Sequence, residues 1–553
     1  MSDPKRPYRS SPSLWACWRG LEGWNFYFLL KFALLWFGYL NFHPLSNLVF
    51  LAWLLFPVRS LRLHRIRHWI SIPIGFALFW HDTWLPGIAS IISQGGQLSG
   101  FSFDYIVDLL NRFINWQMVG SAFVLLVIYL FISQWIRVTV IVTLLLLWIN
   151  LVNIAGPAFS LLPDKIATPA VMSDNQTPEK PQAASQNVLD QSAPPTSANL
   201  TAYLNRFYDE EKKRVSHFPQ TLPPDSAPFD LLVINICSLA WSDIDAVQLR
   251  DHPLWKHFDI LFNNYNSATA YSGPAGIRLL RASCGQSSHH DLYQPADSQC
   301  YMFDNLAKLG FKTELMMDHT GEFGGYLDNL RKDGDMQAPL MSLAGIDPEL
   351  TSFDGTPVFS NAELMRRWLD NRQKSSDTRS ATFYNLIPLH DGTRELGSTK
   401  TAPYLPRAKA LFDQLDTFFT NLDKSGRRVM VVVVPEHGAA VVGDKMQMSG
   451  LRDIPSPSIT HVPVGIKFVG MKAPHQDQPR SVNTPTSLLA LSDLISRAVD
   501  GKVFNAANVN MSALIENLPQ TPVVSENDNA VVMMYQGKPW IRLNGGDWVA
   551  YPQ

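Results

Sequence analysis

The sequence predicts an α-helical membrane domain followed by an α/β domain. The latter is a mostly parallel sheet covered by helices on both faces, with a small antiparallel addition at the C-terminus. Three observations carry that reading. Long apolar runs and a large share of the 16 tryptophans fall in the first third of the 553 residues. Strand-like and helix-like segments alternate in the remainder. The strand-like segments are continuously rather than alternately apolar, as strands covered on both faces are. A chain this long also exceeds one ordinary core.

Trp24 to Leu40 is apolar or aromatic except for Lys31, and Pro44 to Val58, Ile70 to Leu85, Val119 to Trp135 and Val138 to Ile154 follow. A spanning helix needs about 20 mostly apolar residues, which gives about five spans within 1–160. No small-residue cleavage site follows the first run and further runs do, so it is not a cleavable signal peptide. Orientation follows the basic residues. Lys5, Arg6, Arg9 and Arg19 precede the first run, and "VRSLRLHRIRHW" separates the second from the third. Those segments are expected in the cytoplasm, and "QWIRVT", with Arg137, as a short inner turn. "NFHP" is expected as a short outer turn. An odd number of spans then places everything after Ile154 outside, which in a bacterium means a multi-pass inner-membrane protein with a periplasmic domain. Pro86 to Asn115 falls on the same side. Phe101, Ile106, Leu109, Leu110 and Phe113 give it an amphipathic pattern that suits an interfacial piece or an ordinary packed helix. The net charge of −2 averages over an uneven distribution, and no basic block with interleaved aromatics appears in the polar part. Nucleic acid is therefore excluded as a partner.

Residues 161–199 are rich in Pro, Ser, Gln and Ala and are expected to be a flexible periplasmic linker. The domain at 200–553 then reads in order. "FDLLVINICS" is a strand. "NLAKLG" and "FKTELMMD" are helix, glycine, strand. "AELMRRWLDNRQ" is a helix and "SATFYNLIPLHD" a strand. "AKALFDQLDTFFTNLDKSG" is a helix ending at Gly426, and "RRVMVVVVPEHG" and "VPVGIKFVG" are strands. Such alternation implies a mostly parallel sheet. The tail carries hairpin signals at Gln536-Gly537 and Gly545-Gly546.

Ligands in open α/β sheets sit beyond the carboxyl ends of strands. Three strand-like runs end on chemically competent side chains: Cys237, His390, and the adjacent pair Glu436 and His437. Of the four cysteines, Cys17 lies on the cytoplasmic side of this topology. Cys284 and Cys300 bracket a loop whose length suits a disulfide, worth about 3 kcal/mol on the chain-entropy model. Cys237 is then left over. A lone buried thiol is usually structural, but a carboxylate and an imidazole at a neighbouring strand end favour a metal ligand.

The order of Cys237, "SATAYSGPAGIRLL", "NLIPLHDG", "VVVVPEHGAAVVGD" and "SITHVPVGIKF" resembles the alkaline phosphatase/sulfatase superfamily. Within it, the chain resembles the membrane-anchored phosphoethanolamine transferases that act on cellulose. The resemblance implies an alkaline-phosphatase-like fold and Ser272 as nucleophile at a helix start. It implies metal ligands at Cys237, Glu436 and His437, with His390 and His461 near the transferring phosphate. It further implies a phosphatidylethanolamine donor drawn from inner-membrane lipid, a cellulose acceptor modified at the glucosyl C6 hydroxyl, and cellulose synthase complex subunits as partners. Another envelope glycan such as lipid A as acceptor, and a largely structural role in the synthase complex, are the alternatives. A sulfatase is disfavoured because "YSGPAGIR" lacks the Cys/Ser-x-Pro-x-Arg context.

The chemistry suits these residues. A serine hydroxyl is a poor nucleophile until a cation lowers its pKa. Zinc takes thiolate, imidazole and carboxylate in tetrahedral sites, so Cys237, Glu436, His437 and Ser272 Oγ make a plausible set for Zn2+. Calcium and magnesium do not select a thiolate, and manganese fits less well. His390 and His461 are expected as proton donors or phosphate partners. Tyr271 and Arg452 are expected to contact phosphate oxygens, although an ordinary aromatic contact and an exposed cation explain them equally. His289, His290 and His319 are expected to be surface or structural.

Overall fold

A computed structural model of the chain describes residues 20–58, 60–83, 103, 106–107, 116–155, 189–476 and 478–552. The chain divides into two compact units, each taken by itself below. The expected segment 86–115 lies almost wholly outside the described residues, as do Cys17 and most of the expected linker.

Among the described residues the first unit holds five helices: Trp24–Trp36, Pro44–Leu55, Leu61–His81, Trp116–Ile132 and Val138–Ala155. They lie where the five apolar runs were expected. Their shared core includes Phe28, Phe50, Leu51, Leu54, Val142 and Leu146. Large apolar side chains such as Trp36, Phe76, Phe123 and Leu144 are exposed. Among the described residues no helix is long and apolar enough to cross a membrane. The third helix starts at Leu61, ahead of its apolar run, and takes in the basic segment with Arg62, Arg65 and Arg67. Arginine is a good helix former, and nothing between Leu61 and Ile70 breaks a helix.

In the second unit the chain is described from Leu189 onward; Leu189 is buried, and a helix runs over Ser197–Glu211. Leu189 and the start of that helix fall inside the stretch expected to be linker. Leu189 packs with Leu200, Tyr203, Leu204 and Phe207 against the C-terminal sheet, so a segment poor in apolar residues is ordered by the few it has. Among the described residues fourteen strands follow. β1 is Asp230–Ile236, β2 Ile260–Asn266, β3 Lys312–Met317, β4 Pro348–Thr351, β5 Pro357–Phe359, β6 Ser380–Leu386 and β7 Arg394–Glu395. β8 is Val429–Pro435, β9 His461–Val469, β10 Arg480–Val482, β11 Val524–Glu526, β12 Ala530–Tyr535, β13 Lys538–Leu543 and β14 Trp548–Ala550.

Seven strands form the main sheet in the order β10-β2-β9-β8-β1-β6-β3. β3, β6, β1 and β8 run parallel. Leu231 and Val233 of β1 pack with Met430 and Val432 of β8 on one face. Leu232, Ile234, Val431 and Val433 pack on the other. Each face has its own core, which is why side chains along these strands alternate between faces but not in polarity. β9 runs antiparallel to both β8 and β2 within this mostly parallel sheet. The chain between Pro435 and His461 stays at the edge where β8 ends and re-enters the sheet from there. A parallel strand requires a crossover to the opposite edge.

The C-terminal addition is a four-stranded antiparallel sheet, β11 to β14. Gln536 and Gly537 both have positive φ between β12 and β13, as a tight hairpin turn demands. In the second hairpin the positive φ falls on Asn544 and Gly545 rather than on Gly545 and Gly546. Cys284 and Cys300 are joined as a disulfide, and Cys237 is free and buried.

Candidate active site

β8, β1 and β6 are neighbours at the centre of the sheet, and the backbone ladder continues past their ends. Glu436 N–H donates to Ile236 O (2.9 Å), Cys237 N–H to Leu386 O (2.9 Å) and Leu239 N–H to His437 O (2.7 Å). These bonds set Cys237 beside Glu436 and His437. Ser238 and Ala440 sit at φ values of 67° and 54°, a conformation that costs non-glycine residues roughly 1–3 kcal/mol and marks functional sites. Asp243 ties the two loops together: its carboxylate accepts from Ala240 N (2.9 Å), Ala439 N (2.7 Å) and Val441 N (3.0 Å). Gly438 is a glycine because a Cβ there would lie 2.7 Å from Ala240 Cβ and 2.8 Å from Asp243 Oδ2.

One ligand atom from each of Cys237, Glu436 and His437 lies within 4.8 Å of the others, and all three residues are buried. His437 Nδ1–H donates to Gly438 O at 2.9 Å, which turns the Nε2 lone pair into the cluster. Ser272, first residue of the helix Ser272–Leu280, places Oγ 3.3 Å from His437 Nε2 and 3.3 Å from Cys237 Sγ. Glu436 Oε1 accepts from Asn385 Nδ2 (2.6 Å) and Tyr326 Oη (3.1 Å). Glu436 Oε2 is buried without a hydrogen-bond partner, 3.7 Å from His437 Nε2.

Burial, with the Glu436 charge next, pushes the Cys237 thiol up to about 12. Burial also raises the Glu436 carboxyl. It drives His437 well below the ordinary imidazole range, and Arg452 adds to the effect. Thiolate and carboxylate are thus costly here without a positive charge between them. A divalent cation supplies that charge and uses the unpartnered oxygen. Sulfur, nitrogen and carboxylate oxygen form a donor set that fits zinc.

Arg452 approaches this cluster from the 436–460 segment. Its Nη1 donates to Ser238 Oγ (3.0 Å) and its Nη2 to His390 Nε2 (3.3 Å). His390 Nδ1–H donates to Asp391 O (2.7 Å), and the ring stacks on Phe353 at 4.1 Å. Burial, and then Arg452, lower the His390 pKa to about 3. The ring is neutral near pH 7, and its Nε2 accepts from the guanidinium. His390 was expected as a proton donor or phosphate partner, and here its Nε2 holds Arg452. Nor is His390 on a strand: β6 ends at Leu386, where Ile387 N–H turns away to the Asp318 carboxylate.

Ser272, Tyr271, His390 and Arg452 line one cavity of about 450 Å3. The Tyr271 hydroxyl donates to Asp453 rather than opening freely onto the cavity. His461 starts β9 near the same edge of the sheet, but its Nε2–H donates to Asn263 O at 2.6 Å, and it is not among the cavity's lining residues. Its expected place beside the phosphate is not supported by this geometry. His289 and His319 line the cavity, contrary to a surface reading. His319 is nonetheless structural in its bonds: Nε2–H donates to Asn385 Oδ1 (2.9 Å) and Nδ1 accepts from Gly321 N–H (3.1 Å).

Asn385, Tyr326 and Asp243 were missed. Asn385 left a trace, as the polar residue inside "ATFYNLI", and Asn235 left a matching one inside "LLVINIC". The two are register partners, joined by a 3.0 Å bond from Asn385 Nδ2 to Asn235 Oδ1. A buried amide in an apolar strand implies a partner. Tyr326 and Asp243 carry no such signal.

Residues 24–151 match the family model of the cellulose biosynthesis protein BcsG N-terminal domain, and residues 184–548 that of its C-terminal domain. The chain is 61% identical to cellulose biosynthesis protein BcsG of Salmonella typhimurium over 553 residues, 99% of each chain. It is also 61% identical to the Escherichia coli K12 protein of the same name over 547 residues, 98% of each. Among solved structures, an alkaline phosphatase superfamily protein from Vibrio parahaemolyticus aligns at 14% identity with a TM-score of 0.44, covering 62% of this chain and 86% of that one. Matched in both halves and 61% identical from end to end, the chain belongs to the BcsG family of cellulose biosynthesis proteins.

Proposed function

We propose that the protein is a membrane-anchored phosphoethanolamine transferase. It moves phosphoethanolamine from phosphatidylethanolamine to the C6 hydroxyl of glucosyl units in cellulose, through a covalent intermediate on Ser272. The observation that carries this is the position of Ser272 Oγ. It sits at a helix start, 3.3 Å from both Cys237 Sγ and His437 Nε2, and opens onto the cavity that Arg452 shares. Cellulose as acceptor rests on the family. The alkaline-phosphatase-like fold rests on the order of the site residues along a central, mostly parallel sheet.

Cys237, Glu436 and His437 are the residues that would hold zinc, which when bound lowers the pKa of a nearby hydroxyl and offsets phosphoryl charge. Asn385 and Tyr326 occupy Glu436 Oε1 and so present Oε2 to the cluster. Gly438 O fixes the His437 tautomer. The first turn of Ser272–Leu280 offers backbone N–H groups to an anion, and Arg452 adds a cation steadied by Ser238 and His390. In the first step the Ser272 oxygen bonds to phosphorus, the phosphorus–oxygen bond to diacylglycerol breaks, and the proton lost by serine ends on the diacylglycerol hydroxyl. In the second the acceptor hydroxyl displaces Ser272, which regains a proton. The exposed apolar side chains of the helical unit support lipid embedding, which would hold the site near its lipid donor, with the second unit in the periplasm.

The test is intact-mass analysis of the full chain after incubation with phosphatidylethanolamine vesicles and no acceptor. A phosphoethanolamine adduct mapping to Ser272, absent in Ser272→Ala, is expected. An adduct elsewhere, or full transfer to cellulose by Ser272→Ala, sinks the mechanism.

A further inference from the structure

We infer that His43, His81 and Asp82 form a second divalent-metal site, within the helical unit and separate from the Cys237 cluster, whose matching ion is zinc. The residues come from two places that the fold brings together. His43 precedes the helix Pro44–Leu55, while His81 and Asp82 end the helix Leu61–His81. A backbone bond joins them, Asn41 N–H donating to Asp82 O at 2.9 Å.

The geometry turns on the Asp82 carboxylate, which is fully buried. Its Oδ2 is taken by Lys31 Nζ at 2.5 Å and Asn47 Nδ2 at 2.6 Å. Lys31 is equally buried, its Nζ donates to Asn47 Oδ1 at 2.7 Å, and it sits over the Tyr27 ring at 5.0 Å. Carboxylate and ammonium offset each other, and the other oxygen, which also accepts from His43 N–H at 3.2 Å, is turned the other way. Oδ1 lies 2.9 Å from His43 Nδ1 and 3.8 Å from His81 Nδ1. The two imidazoles are 4.1 Å apart between centroids, and the three ligand atoms lie within 4.8 Å of one another.

Donors on a zinc tetrahedron, with bonds of about 2.0–2.1 Å, stand roughly 3.3 Å apart. The observed spacings to Oδ1 bracket that value. Two nitrogens with one carboxylate oxygen suit zinc and its transition-metal neighbours rather than calcium or magnesium. The Lys31 and Asn47 bonds on the far oxygen are the outer support that metal-ligating carboxylates have. The side chains of His43 and His81 are 38% and 60% exposed, so an ion reaches them from solvent, and each ring can move its hydrogen to a nitrogen facing water.

A second grouping of Glu22, His64 and His68 lacks these features. His68 Nδ1 accepts from Trp24 Nε1 (3.0 Å) and His64 Nδ1 from Arg67 Nη2 (3.0 Å). Both rings therefore carry hydrogen on the nitrogen that faces Glu22, and no lone pairs converge.

The experiment is a cobalt(II) titration of the metal-stripped full chain, read by absorption, with zinc content measured in parallel. Cobalt at Cys237 gives a thiolate charge-transfer band, whereas cobalt at His43, His81 and Asp82 gives only d–d bands. Wild type should show d–d intensity beyond that which grows in step with the charge-transfer band. His43→Ala/His81→Ala should lose that excess and about one zinc equivalent while keeping the charge-transfer band. His81→Gln, at the most exposed ligand, should weaken the same class by about 10-fold or more with unchanged helicity by circular dichroism. Equal stoichiometry and unchanged d–d bands in the double variant overturn the inference. Loss of the charge-transfer band alone, by Cys237→Ser, leaves it standing.

Discussion

Asn385 Nδ2 donates a 2.6 Å hydrogen bond to Glu436 Oε1, and this one bond helps decide which oxygen of the carboxylate faces Cys237 and Ser272. The amide is itself fixed from the other side, since His319 Nε2–H donates to its oxygen at 2.9 Å. His319 and Tyr326 both line the cavity. The wall of the cavity and the aim of the candidate metal ligand are thus connected through two side chains.

Asn385→Ala should therefore lower zinc affinity by about 10–100-fold, the usual cost of losing such support. Tyr326→Phe removes the longer, 3.1 Å bond and should cost less. Competition against a chromogenic chelator measures both. Equal affinity in Asn385→Ala and wild type would show that Glu436 is oriented by its backbone alone.

Cys237→Ala, Glu436→Ala and His437→Ala should each lower zinc content and transfer together, because each removes a converging donor. Ser272→Ala should keep its zinc and lose transfer. Metal analysis beside an activity assay separates the two classes. Zinc unchanged in all three ligand variants would leave the cluster a structural one.

Arg452→Gln should raise the pKa of His390 from about 3, since the guanidinium is the second cause of its depression. Burial is the first cause and remains, so the new value stays below the ordinary 6.5. The sign for stability follows. The folded state binds fewer protons than the unfolded one between the two pKa values, so this group's contribution is complete above about pH 6.5 and is lost as pH falls towards 3. The variant should lose less on acidification. Selective histidine labelling and an NMR titration read the pKa, and a value unmoved by the substitution refutes the coupling.

Asp230→Ala should destabilise the second unit by about 3–5 kcal/mol. Asp230 is buried at the start of β1 and accepts from Arg372 Nη2 (2.7 Å) and Arg427 Nη2 (2.6 Å). Its loss strands Arg372, which is equally buried. Denaturant unfolding gives the magnitude. Zinc content per folded molecule should not change, because β1 meets the site at its other end.

Reduction of the Cys284–Cys300 bridge should cost about 3 kcal/mol for its 16-residue separation. The bridged loop also carries His289 and Tyr293 to the cavity wall. Cys284→Ser/Cys300→Ser should therefore raise KM for the lipid donor more than it lowers kcat. A fall in kcat alone would mean the loop does not shape the cavity.

What the sequence determined by itself is what period and composition record. Continuous rather than alternating apolar runs marked β1, β6 and β8, because a strand buried on both faces has no polar side. The same rule turned attention to strand ends and so to Cys237, Glu436 and His437. The positive-φ pair Gln536-Gly537 marked a hairpin. What only the tertiary structure decided depends on groups far apart in the chain. The antiparallel course of β9 follows from where the 436–460 segment lies, which no local pattern encodes. Tyr326 reaches Glu436 across 110 positions. For His390 the sequence left proton donor and phosphate partner both open, because a histidine's charge is not written in its neighbours: burial beneath Phe353 and the approach of Arg452 set it. His461 lies near the expected edge of the sheet but spends its hydrogen on Asn263 O, since a side chain's partner is chosen by packing and not by the strand that carries it.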